Sequence, residues 1–208
     1  MNLDEFEKIF PLSESMNIDL KVIIGEQPYK QSLNNIPFAV DGTTSNISIY
    51  QKTKNISFLV SDWIKVQDSL EMIFNLMFGQ QRSLCALAYL RCNEITPIQF
   101  AEFLWSKAKI LLLNRHVDVI DYAPDIKAFI EQHASESKAH ILFVGKKSES
   151  NFPSLSCSNA TAIAIHPSGN NLNSRDRRLR YYDNWITCNG SKLTEINGLN
   201  LSTFRAFK

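Results

Sequence analysis

Residues 79–92 read GQQRSLCALAYLRC. A glycine and two glutamines precede one cysteine, Cys85, and an apolar stretch follows it. Ser83 suits an N-cap, so the spacing predicts a helix over 83–92 with the thiol in its first turn. A helix N-terminus favours the thiolate, which makes this position chemically different from a buried core thiol. The same position also suits a small core residue on a helix rich in Leu and Ala. How this stretch is read decides the rest.

Upstream, DSLEMIFNLMF (68–78) has helical spacing and stops at Gly79. Downstream, Thr96-Pro97 fits a cap followed by proline at the first helical position, and that helix is expected to reach about Leu113. A further helix is expected over 123–134, with Ile126, Phe129 and Ile130 on its apolar face. Residues 66–137 thus read as a helical block.

Before it, residues 2–10 read as a short helix that Pro11 ends. NIDLKVII (17–24) alternates like a half-buried strand, and NISIYQ (46–51) with ISFLV (56–60) resembles a hairpin around KTKN. Residues 1–65 form a β-rich N-terminal region, either part of the main domain or packed on it. Residues 66–208 form the main domain.

After the block, HILFV (140–144), TAIAI (161–165), RYYDNWIT (180–187) and LSTFRAF (201–207) read as strands, with Asn189-Gly190 a turn. The expected fold class is α+β: a helical block led by Cys85, then an antiparallel sheet.

The 208 residues suit one domain, and 44% hydrophobic with 21% charged residues is ordinary for a globular protein. A net charge of +1 supplies no global field for nucleic acid or an acidic membrane. The four cysteines form no Cys-x-x-Cys pair, and no Cys/His run has zinc spacing, so neither metal nor cofactor is expected. The start, MNLDEFEKIF, lacks the basic and apolar parts of a secretory signal. No apolar run approaches the ~18 residues of a membrane span. The expectation is a cytoplasmic protein, or one exported by a route without such a signal.

A thiol hydrolase needs a base within hydrogen-bond reach of the sulfur, a group that orients the base, and donors for the oxyanion. Gln80 or Gln81 is the candidate oxyanion donor. If strands 160–166 and 178–184 pair antiparallel, residue 161 faces 183, and Asp183 becomes the candidate orienting acid.

In order and pattern, Cys85-Ala-Leu-Ala-Tyr-Leu, the helices at 97–113 and 124–134, His140-Ile-Leu-Phe-Val, Ala160-Thr-Ala-Ile-Ala-Ile and Tyr181-Tyr-Asp-Asn resemble the papain-like cysteine peptidases. Bacteriocin-leader peptidases and bacterial effector proteases and deamidases are nearest in pattern. The resemblance spans about residues 79–190. It implies a papain-like fold and cleavage of a peptide or side-chain amide in a protein substrate, with Cys85 as nucleophile.

One departure stands out. Asn159, Ala160 or Thr161 occupies the place of the family's histidine, and none is a general base near neutral pH. His166 lies five residues further along the strand from Thr161, roughly 16 Å away at ~3.3 Å per residue. The triad is incomplete, so the alternative is an inactive papain-fold module, a pseudoenzyme, that binds a protein partner. The basic run 175–180, with Arg177, Arg178 and Arg180, is the candidate partner-binding surface; its other reading is a solvated loop.

Overall fold

Buried strands form the centre of the molecule. The computed structural model describes residues 3–12, 20–26, 45–53, 56–57, 70, 73–74, 77–78, 80–117, 120–134, 139–144, 148, 150, 152–156, 159–164, 186–187, 195–196 and 199–200. In chain order, the elements are α1 (Leu3–Ile9), β1 (Leu20–Gly25), α2 (Ser48–Thr53), α3 (Gln80–Cys92), α4 (Pro97–Ala108), β2 (Ile110–Asn114), β3 (His116–Val117) and β4 (Ile120–Asp121). Then come α5 (Ala123–His133), β5 (Ala139–Val144), β6 (Asn159–Ala164), β7 (Ile186–Thr187), β8 (Glu195–Ile196) and β9 (Leu199–Asn200).

The main sheet has the order β2-β1-β5-β6-β7. β1 runs parallel to β2, with Ile23 beside Leu112, and parallel to β5, with Ile23 beside Leu142. β5 runs parallel to β6, with Leu142 beside Ala162. Only the two-residue β7 at the edge is antiparallel. This overturns the expected α+β, papain-like arrangement with an antiparallel sheet: the architecture is α/β around a parallel sheet.

The physical reason lies in the strands' burial. Every residue of β1 and of β2 is buried, as in parallel strands covered on both faces. The apparent alternation of β1 rests on Lys21, which is itself fully buried and donates from Nζ to the Ala108 carbonyl at 3.1 Å. The ammonium thereby engages a carbonyl at the end of α4.

Two further expectations change. Residues 48–53 are helical, not a strand. The helix beginning at Pro97 ends at Ala108, and residues 110–114 become β2. Thr96 Oγ1 accepts from Gln99 N, while Gln99 Oε1 accepts from Thr96 N, a reciprocal cap that fixes the start of α4. Lys109 ends it in the left-handed region, at φ 52°, with its N–H directed to the Leu104 and Trp105 carbonyls. Its Nζ lies 4.7 Å from the Trp105 ring centroid, a contact that offsets part of the cost of a β-carbon in that region.

Phe6 anchors α1 and is fully buried. Its ring meets Phe10, Phe78, Tyr89, Phe100 and Phe103 at centroid separations of 5.0–5.9 Å. These contacts place the start of the chain in the same core as α3 and α4. The outer edge of β2 is closed as well: Leu112 donates its N–H to the Tyr50 hydroxyl at 2.9 Å, and its carbonyl accepts from Ser57 N at 3.0 Å.

Candidate functional site

Cys85 is the sixth residue of α3 and is exposed. The helix starts at Gln80, and residues 70, 73, 74, 77 and 78 before it are also helical. Ser83 is buried inside the helix instead of capping it. The first-turn placement that favoured a thiolate is therefore not the geometry of this chain. Gln80 and Gln81 open α3. Asn159 and Thr161 lie on β6, and His140 stands beside Ala160 in the parallel ladder. Asp183, His166, Cys157, Cys188, Arg177, Arg178 and Arg180 lie outside the described residues. The described ladder sets Ala162 opposite Thr187, a different register from one that sets 161 opposite 183.

The sheet itself points to another place. Taken in chain order, its four parallel strands follow the 2-1-3-4 pattern of doubly wound sheets. The order in which strands are added reverses at β1, whose neighbours are β2 and β5. In such sheets the crevice for a ligand lies beyond the carboxyl ends of the strands at that reversal.

Arg115 is the residue built into this end. It follows β2 directly, and its N–H donates to the carbonyl of Gly25, the last residue of β1, at 3.0 Å. The next residue continues the join, with His116 N donating to Glu26 O at 2.8 Å. The Arg115 carbonyl accepts from Tyr122 N at 2.9 Å, closing the small β3–β4 hairpin. The side chain then reaches the segment after β5: Nη1 donates to the Ser150 carbonyl, and Nη2 meets Nε2 of His116. One arginine thus joins the ends of β2 and β1 to the chain leaving β5.

The residue is only 6% exposed, and its Nε is buried with no hydrogen-bond partner among the described residues. A guanidinium stays charged in proteins, so neutralisation cannot relieve this burial. Nearby, Ser57 Oγ donates to Asn114 Oδ1 at 2.9 Å, both side chains buried. Sequence reasoning passed over Arg115. Its one local signal is a polar Asn-Arg-His run that closes the apolar stretch Ile110–Leu113.

Among the described residues, no group of three or more His, Cys, Asp or Glu side chains is placed to hold a metal. None of their helices is long and apolar enough to cross a membrane. No family model, curated protein or solved structure matches this chain.

Proposed function

We propose that this chain is a ligand-binding α/β domain that takes an oxyanion, phosphate or carboxylate, of a small molecule at the carboxyl edge of its parallel sheet. The observation that carries the reading is the Arg115 guanidinium at the β1 reversal, buried and with Nε unpartnered. A buried N–H without a partner costs about 1–3 kcal/mol, and more on a charged group. An oxyanion satisfies it and gains a charge-assisted bond, with the planar fork suited to two oxygens. The expected affinity for inorganic phosphate alone is weak, on the order of 1 mM.

The test is thermal unfolding in potassium phosphate against potassium chloride at equal ionic strength. Phosphate at ten times its dissociation constant adds about 1.4 kcal/mol, which raises Tm by about 3–6 °C in a chain of this size. Arg115→Lys keeps the charge but lacks the fork, and is expected to lose most of this shift. If phosphate and chloride give the same Tm, or if Arg115→Lys responds like the parent protein, the reading fails.

A further inference from the structure

A second site lies among the helices. A groove of about 590 Å³ opens between the start of α1, residues 46–48, α4 and α5. That volume is typical of a small-molecule pocket. One wall is aromatic, built from Phe103 and Trp105 of α4 with Phe129 and His133 of α5. The Phe129 and His133 rings stack at 4.1 Å, and Trp105 approaches His133 edge-on at 5.5 Å. His133 Nδ1 donates to the Phe129 carbonyl at 2.9 Å, which fixes the orientation of the ring.

The charges of the lining are unequal. Glu102 Oε1 accepts from Asn46 N at 2.7 Å and from Ser45 Oγ at 3.2 Å. Its other oxygen takes no hydrogen bond among the described residues. Lys107, the lining's one lysine, is held by Glu7 at 2.8 Å and Asp4 at 3.7 Å. Its charge is thereby neutralised, and Glu102 is left as the carboxylate with capacity to spare. Trp105 already carries the Lys109 ammonium 4.7 Å from its ring centroid, so the ring is a wall and not the seat of a second cation.

We infer that this groove binds a small organic amine with a flat apolar body, the ring against Trp105, Phe129 and His133 and the ammonium at Glu102. The site is separate from the oxyanion site at Arg115, and each stands or falls without the other.

The experiment is calorimetric titration of the full chain with tryptamine, with indole-3-propionate as the matched acid and indole as the neutral body. Tryptamine is expected to bind on the order of 1 mM or tighter, about tenfold or more better than the acid. Glu102→Gln keeps the oxygen that accepts from Asn46 and Ser45, so its Tm is expected to match the parent's while the preference for the amine disappears. His133→Ala weakens tryptamine and indole together. The amide signals of Phe129 and His133 shift on titration, which locates the ligand even where a variant folds poorly. Equal binding of amine and acid, an unchanged preference in Glu102→Gln, or no tryptamine binding at 10 mM with no shift of those amides overturns the inference.

Discussion

The hydroxyl of Tyr50 accepts the backbone N–H of Leu112 at 2.9 Å, a contact between residues 62 apart in the chain. It stands where a further strand would pair, so a side chain ends the sheet at β2. Burial raises the Tyr50 phenol above its usual value, only partly opposed by the Leu112 N–H that favours the phenolate. Tyr50→Phe leaves that N–H buried and unpaired, and is expected to cost about 1–3 kcal/mol in urea unfolding near neutral pH.

The same tyrosine sets a pH dependence. Its folded-state value lies above the unfolded one, so its contribution is complete below about pH 10. It is lost as pH rises from there toward the folded-state value. Unfolding curves at pH 8 and pH 11 are expected to show a smaller loss at the higher pH for Tyr50→Phe than for the parent. An equal loss in both proteins would show that this phenol is not the group responsible.

Glu131 of α5 ties down the segment after β5. Its Oε1 accepts the Ser156 hydroxyl at 2.6 Å and the Ser156 N–H at 2.5 Å. These two bonds, the hydroxyl first, hold its carboxyl below the usual value, with a smaller push from Lys127 and with desolvation opposing. The linked stability is present above about pH 4.5 and declines as pH falls through the folded-state value. Ser156→Ala is expected to move the Glu131 titration back up, read from its side-chain carboxyl carbon by NMR.

Phe6 is the centre of the aromatic core. Its truncation to alanine removes contacts with five rings at once. The expected cost is about 3–5 kcal/mol in urea unfolding, enough to unfold a marginally stable chain. Phe6→Leu refills much of the volume and is expected to lose less than half as much.

The exposed thiols give a test of the site assignment. Cys85 and Cys92 are both exposed on α3, so peptide mapping after brief treatment of the native protein with iodoacetamide is expected to find both alkylated. Cys85→Ala is expected to leave the unfolding free energy within about 0.5 kcal/mol of the parent's and to leave the phosphate and tryptamine responses intact. Selective alkylation of Cys85 well below pH 8, together with loss of a ligand response in the alanine variant, would return attention to the thiol.

Local chemistry made some elements readable from the sequence. Thr96-Pro97 marks the start of α4, and the apolar face with Ile126, Phe129 and Ile130 marks α5; HILFV marks β5. What failed was set by partners far away in the chain. The direction of β5 is decided by β1 on one side and β6 on the other, and no local pattern in 139–144 records either. Ile110 to Leu113 extend the apolar run of α4, so the boundary depends on one left-handed residue, Lys109, of a type that does not signal a stop. Lys21 looks like a solvent-facing position because its partner, the Ala108 carbonyl, is 87 residues away. Arg115 was passed over for the same reason: Gly25 and Ser150 come to it only through the fold.

The placement of β1 also governs how the chain reaches this state during synthesis. Leu20 to Gly25 leave the ribosome well before their ladder partners, residues 110–114 and 139–143. For the time needed to make about 90 further residues, at roughly 5–20 per second, this apolar segment has neither flank to zip onto. Pairings of such long sequence separation form slowly, and the nascent chain carries an exposed sticky ribbon meanwhile. The helices that emerge before residue 110 share its core and are the first parts of the chain able to cover it.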